Sequence, residues 1–317
     1  MGMLRAAAIC VFLAAAVSAQ ADDCPGNPGA IGTSRTIVVD PAEHPRIGSF
    51  QYPETLPLAD KEVVLTFDDS PRPIYTDKVL DTLAAHCVKA TYFLIGAHAK
   101  EFPKVVQRIR AEGHTIGTHS QKHPLTFDRM GADRMRKEVE DGIASVQGAA
   151  GDDKPIAPFF RIPGLLRSDA VDSYLESKGL MVWSTDVMAQ DWKRRINPAG
   201  IIRRALDRLA AKGGKGVLLL HDIHPKTAAA LPILLTELKA RGYRIVHVVP
   251  ATPEQPKTPT EAQDWVYREP AKPPLPVLLM TDVSSLNENL AEQRQMSGID
   301  TCGEKASSRT RLAAHKR

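Results

Sequence analysis

The sequence predicts an α/β protein built on a parallel sheet, and two observations carry that reading. Between about residues 59 and 250, short apolar runs rich in β-branched or aromatic residues alternate with helical patterns. The chemically suggestive residues then fall at the C-terminal ends of those runs, where parallel α/β folds place their sites. The expected strands are Val63–Phe67, Thr91–Ile95, Thr115–Gly117, Phe159–Ile162, Met181–Trp183, Val217–Leu220 and Arg244–Val248. The expected helices are Thr76–His86, Pro103–Glu112, Ala132–Gln147, Ser168–Lys178, Pro198–Lys212 and Lys226–Arg241. Seven strands over this length suit a barrel and a doubly wound sheet equally well.

Composition agrees with a folded domain and adds little. The 317 residues are 43% hydrophobic and 25% charged, which excludes a fibrous or wholly disordered chain. A net charge of +4, from 41 basic and 37 acidic residues, is too small and dispersed to point to nucleic acid.

The two ends differ from the body. Arg5 is the only charge before an apolar run from Ala6 to Val17, and small residues follow at Ser18-Ala19-Gln20-Ala21. This reads as a secretory signal peptide over 1–21, cleaved after Ala19 or Ala21, because the run is short against the ~20 residues of a spanning helix. The protein is therefore expected to be exported, periplasmic or extracellular, with no transmembrane segment once the leader is removed. Export permits a disulfide; Cys24–Cys302 could join the two ends, and Cys87 reads as a small core residue. Residues 22–58 form an N-terminal segment, 59–250 the main domain and 251–317 a proline-rich linker with a polar tail. Eight prolines lie between Pro250 and Pro276, and the last stretch is basic enough to touch an anionic envelope surface. Trp183 reads as a core residue and Trp265 as one that docks the tail.

Three constellations carry chemistry. His119 and His123 stand at i and i+4, which on a helical turn puts both imidazoles on one face. Asp68-Asp69 ends the first strand of the body and can supply a third ligand; adjacent carboxylates there repel unless a cation lies beside them. His221-Asp222 ends another strand, and Asp186, Asp191 and Trp192 follow a third. Imidazole with carboxylate suits Zn²⁺, Co²⁺ or Ni²⁺, zinc being the commonest biological choice.

These residues fall into five ordered motifs. Thr66-Phe67-Asp68-Asp69-Ser70-Pro71, His119-Ser120-x-x-His123, Phe160-Arg161-Ile162-Pro163-Gly164, Asp191-Trp192 and Leu219-Leu220-His221-Asp222 together resemble the polysaccharide deacetylases, the NodB-homology family or carbohydrate esterase family 4. The resemblance spans roughly 59–250 and implies a distorted (β/α)7 barrel that removes acetyl groups from sugars with a divalent metal. By motif position Asp69, His119 and His123 would hold the metal, Asp68 would be the general base and His221 the general acid. Arg161 would hold Asp68 in place, Asp191 would orient His221, and the backbone N–H of Ile162 would face the oxyanion. Trp192 and Pro163 would line the substrate groove.

Three departures stand out. Ser70 replaces the usual glycine and would be strained if that position needs a positive φ. Gly164 stands where an aromatic residue is common. The fourth motif is stretched, so that either Asp186 or Asp191 could face His221. The expected function is hydrolysis of N-acetyl groups on an N-acetylglucosamine-containing glycan: peptidoglycan, a chitin-like oligomer or an exopolysaccharide. The alternatives are a non-catalytic glycan-binding envelope protein on the same scaffold, or a hydrolase of a different small C–N amide.

Overall fold

The computed structural model of the protein describes residues 24–269. The leader, Cys302 and the basic tail lie outside the described residues. The elements in chain order are β1 (Thr33–Val39), β2 (Arg46–Ile47), β3 (Glu62–Asp68), α1 (Tyr75–Ala85), β4 (Thr91–Leu94), α2 (Gly96–Glu101), α3 (Pro103–Ala111), β5 (Thr115–Thr118), α4 (Ala132–Ala149), β6 (Phe159–Phe160), α5 (Asp169–Ser177), β7 (Met181–Trp183), β8 (Val187–Met188), α6 (Pro198–Ala211), β9 (Gly216–His221), α7 (Pro225–Ala240), β10 (Arg244–Pro250) and α8 (Ala262–Trp265).

Every pairing between these strands is parallel. Hydrogen-bonded neighbours run β8, β9, β3, β4, β5, β6, β7, β2, and the β1–β10 pair joins at the foot of β3 through Glu62 and Val63. The expected strand Arg244–Val248 is present as β10, and its pairing sets it apart from the other body strands. Arg244–Val248, counted among the seven body strands, pairs along its length with β1 and touches β3 only at that strand's first two residues. The two-residue β8 stands beside β9 instead.

The alternation of side chains explains how the sheet both packs and carries chemistry. Along β3, Val63, Leu65 and Phe67 join the cluster beneath the helices, together with Val79 and Leu83 of α1 and Leu234 of α7. Val64 lies in a second cluster with Phe93, Phe159, Trp183 and Val217. Thr66 and Asp68 continue that second face upward, so the strand is apolar at its foot and polar at its top. The β9 strand repeats the pattern, with Val217 in the second cluster and Leu218 and Leu220 in the first. Helix starts are set locally: proline opens α3, α6 and α7, and the Asn197 side chain accepts from the Gly200 N–H at 2.8 Å to cap α6.

The segments flanking the body are part of this packing. Trp265 is buried, stacks on His44 at 3.5 Å between centroids and donates its indole N–H to Thr260. The backbone N–H groups of Thr55 and Tyr267 donate to Trp265 and Pro53 at 2.8 and 2.9 Å. Cys24 is bridged to Cys87, which corrects both cysteine expectations. Cys87 ends the turn after α1, and that turn meets the start of the described chain through an Asn27 side-chain bond to the Ala85 carbonyl. Among the described residues no helix is long and apolar enough to cross a membrane.

Candidate metal and catalytic site

The site lies where β3, β5, β6 and β9 end. Asp68 is the last residue of β3, and Asp69 follows in a left-handed conformation with φ 73°. Positive φ therefore falls on Asp69, and Ser70, in place of the glycine, is free of that strain. Its hydroxyl donates to Asp222 at the end of β9, tying the first-motif turn to the strand that carries His221.

His119 and His123 are not on a helix. They occupy a turn after β5 in which Ser120 and His123 both have positive φ, 65° and 56°, and the His123 N–H donates to Ser120 Oγ at 3.0 Å. The i, i+4 spacing thus brings the rings together by a different backbone path, with centroids 4.8 Å apart. The turn is clasped by α4: the Gln121 N–H donates to the Glu138 carbonyl at 2.9 Å, and the Lys122 N–H donates to its carboxylate at 2.8 Å.

Asp69 Oδ1 lies 3.6 Å from His119 Nε2 and 3.4 Å from His123 Nε2, and the three donor atoms lie within 4.8 Å of one another. A tetrahedral cation with bonds of about 2.0–2.2 Å spaces its ligands about 3.4 Å apart, so this donor set fits one. Asp69 Oδ1 is buried without a hydrogen-bond partner, so its lone pairs are available to a cation. His119 Nδ1 donates to the Arg161 carbonyl at 2.6 Å, which fixes the tautomer and leaves the Nε2 lone pair toward the carboxylates. Burial pushes the His119 pKa down to about 4, against the raising effect of Asp68, so the ring is neutral and can ligate. Burial raises the Asp69 pKa, but the facing histidines outweigh it and hold the carboxyl below its usual range.

Asp68 is held by a different set of contacts. Arg161, fully buried, donates from Nη1 to Asp68 Oδ1 at 2.7 Å and to Thr66 Oγ1 at 2.8 Å. Its Nη2 donates to the Ser184 carbonyl at 2.9 Å, and the guanidinium lies 4.2 Å from the centre of the Phe93 ring. Such an ion pair, desolvated on both sides, fixes the carboxylate geometrically, and removing either partner strands the other charge. No hydrogen bond among the described residues uses the N–H of Ile162, the next residue, although Ile162 is buried. The carbonyl of that same peptide is the one His119 holds.

Across the site, Asp191 accepts from His221 Nδ1 at 2.8 Å, from the His221 N–H at 2.7 Å and from Thr227 Oγ1 at 2.7 Å. Burial alone lowers the His221 pKa, but the hydrogen bond and charge of Asp191, with Asp69 and Asp68 beyond, carry it up to about 9. Asp186 is not beside His221. Its carboxylate accepts from Ser49 N–H, Thr55 Oγ1 and Val217 N–H, each at 2.7 Å, near the start of β9, where it joins the first strand residues to the N-terminal segment. Trp192 is 41% exposed and sets its ring edge-on to His221 at 5.2 Å. Pro163 is buried and starts the turn that carries Gly164, whose φ is 61°. A Cβ on Gly164 would meet Leu125 Cδ2 at 3.0 Å, so an exposed leucine from the His123 loop stands against the place of the missing aromatic.

Sequence reading passes over three residues at this site. Thr227 sits in the first turn after β9, Ser184 offers only a backbone carbonyl, and His98, one turn beyond β4, has its Nδ1 3.0 Å from the Asp69 carbonyl. The strand-end rule points to the neighbourhoods of Thr227 and His98 but not to those residues.

Three donors that could hold a cation, beside an arginine-held carboxylate and opposite a hydrogen-bonded His–Asp pair, make a constellation suited to hydrolysis. Residues 56–183 match the family model described as polysaccharide deacetylase. A peptidoglycan-N-acetylglucosamine deacetylase of Bacillus cereus is 38% identical over 194 residues, 58% of this chain and 67% of that protein. The peptidoglycan-N-acetylglucosamine deacetylase PgdA of Listeria monocytogenes is 37% identical over 190 residues, 60% of this chain but only 38% of that protein. Among solved structures, a Bdellovibrio bacteriovorus peptidoglycan deacetylase matches with TM-score 0.61 and 30% identity, over 69% of this chain and 60% of that one. The chain belongs to the polysaccharide deacetylase family and is a hydrolase of that class.

Proposed function

We propose that the protein hydrolyses N-acetyl groups on N-acetylglucosamine units of a glycan, with peptidoglycan as the foremost substrate class. The observation that carries this reading is the buried, unpartnered Asp69 Oδ1 facing two imidazoles, next to the Arg161–Asp68 pair and across from Asp191–His221. The names of the relatives favour peptidoglycan over chitin-like or exopolysaccharide substrates.

Asp69, His119 and His123 would hold a divalent metal, zinc before cobalt or nickel. Bound there, it would supply Lewis acidity toward the acetyl carbonyl and toward water. Asp68, fixed by Arg161, takes a proton from the attacking water as the new C–O bond forms. The Ile162 N–H donates to the oxyanion that develops on the carbonyl oxygen. His221, protonated at neutral pH, gives its proton to the departing sugar nitrogen as the C–N bond breaks, leaving acetate and an amine. Asp191 keeps the imidazolium aimed and charged, while Trp192 and Pro163 border the sugar. The path from β3 through β7 and on to β8 and β9 is best read as a distorted seven-stranded barrel, open between β7 and β8.

Export through a leader over 1–21 is part of this reading, and the Cys24–Cys87 bridge supports it because such bonds persist in oxidising compartments. The test is acetate release from N-acetylglucosamine oligomers and from peptidoglycan, with and without a chelator. Chelator-sensitive release that is abolished in Asp68→Asn, with metal content unchanged, is the expected result. Glycan binding without acetate release by the metal-loaded protein would overturn it.

A further inference from the structure

We propose that His98 is a positioning residue that holds the metal ligand Asp69 in its left-handed conformation. The inference rests on the reading of Asp69, His119 and His123 as the metal cluster.

His98 lies on α2, the short helix that follows β4, and contributes no donor atom to the cluster. Its Nδ1 is 3.0 Å from the backbone carbonyl of Asp69. A carbonyl only accepts, so Nδ1 carries the proton and donates. Asp69 has φ 73°, a left-handed conformation uncommon outside glycine that the surrounding contacts must hold in place. The restraint is visible on both sides of the turn. His98 holds the Asp69 carbonyl, and the Ile95 N–H donates to the Ser70 carbonyl at 3.0 Å. Turning the Asp69–Ser70 peptide toward a relaxed φ would break the His98 bond and swing the Asp69 carboxylate away from the two imidazoles.

The same helix reaches the other ligands. The N–H groups of Gly96 and Ala97 donate to the carbonyls of Ser120 and Gln121, each at 2.9 Å, within the turn that carries His119 and His123. Backbone bonds from α2 therefore set the histidine turn, and one side chain from α2 sets the aspartate turn. The helix acts as a bracket that fixes the spacing of all three donors, and His98 is the arm of it that a substitution can remove.

Two variants of the full chain separate positioning from packing. His98→Phe keeps a ring of similar volume but has no donor; His98→Asn loses the ring but places an amide nitrogen where Nδ1 stands. Zinc affinity is read by competition with a chelating dye, and folding by circular dichroism and thermal melting. Loss of a partner that orients a ligand costs about 10- to 100-fold in metal affinity, so His98→Phe should bind zinc that much more weakly while His98→Asn stays within about threefold of wild type. The reverse order, or equal zinc binding by all three proteins, overturns the proposal. If His98→Phe melts out, His98→Asn decides alone: near-wild-type affinity supports the role and a tenfold loss overturns it. A wild-type protein that takes up no zinc, cobalt or nickel refutes the metal reading itself, an outcome distinct from equal binding by the variants.

Discussion

Asp191 grips His221 at two points, accepting from the ring Nδ1 with one carboxylate oxygen and from the backbone N–H of the same residue with the other. The ring therefore has one tautomer and one orientation, and its Nε2 is the end left for a substrate.

That grip sets a pH dependence. An acid catalyst works while protonated, and a folded pKa of about 9 places its loss on the alkaline limb. In Asp191→Asn the raising partner is gone while burial still lowers the pKa. The alkaline limb of kcat should move down by about one pH unit or more, with kcat reduced about 100- to 10,000-fold at its optimum. A pH–rate profile of both proteins checks this; an unmoved limb assigns the proton to another group.

A second prediction concerns Gly142 on α4. Replacing a helical glycine by alanine ordinarily stabilises by about 0.5–1 kcal/mol. Here a Cβ would lie 2.7 Å from the Ser120 carbonyl carbon and 2.9 Å from the Gln121 nitrogen, both backbone atoms of the histidine turn. Overpacking of this kind costs about 1–3 kcal/mol, so the sign reverses. Denaturant melts should show Gly142→Ala less stable than wild type, with weaker zinc retention.

Loss of the Cys24–Cys87 bridge should act through the unfolded chain. The bridge joins cysteines at a sequence separation of 63, for which chain entropy gives about 4 kcal/mol. A Cys24→Ser, Cys87→Ser double variant should lose stability on that scale in urea, and a reductant should then leave its midpoint unchanged while lowering that of wild type.

Acid should weaken the fold through two neutral histidines outside the site. Burial pushes the His114 pKa down to about 3 and that of His247 to about 4. Between roughly pH 6.5 and 4 the unfolded chain takes up these protons and the folded one does not, so stability falls as pH falls. Each histidine contributes up to about 1.4 kcal/mol per pH unit. In His247→Gln, which keeps a donor toward Thr115, the urea midpoint should decline less between pH 7 and pH 5 than in wild type.

The strong elements are legible in the sequence because they satisfy one requirement throughout. Glu62–Asp68 is buried at every position, so its apolar run is continuous and bounded by turns. β1 is hidden by its half-exposed, polar first residues, and β2 and β8 are two residues long, too short for any period to register. α2 opens on glycine and spans a turn and a half. At the site, residue types and motif order bring Asp68, Asp69, His119, His123, Arg161, Asp191 and His221 forward as candidates. The helical reading of His119–His123 fails because spacing fixes a separation along the chain, not a backbone path, and Ser120 and His123 take left-handed turns. The partner of Cys24 and the location of Asp186 depend on which distant segments meet, and local sequence carries no record of that.

The candidate site opens at the C-terminal ends of the strands, while the described chain enters and leaves at the other face. Cys24 is bridged beside the end of α1, and Tyr267 lies under Lys212 at the end of α6, its ring centre 4.3 Å from Nζ. The points at which the described chain begins and stops therefore both lie away from the mouth of the site, which is left clear.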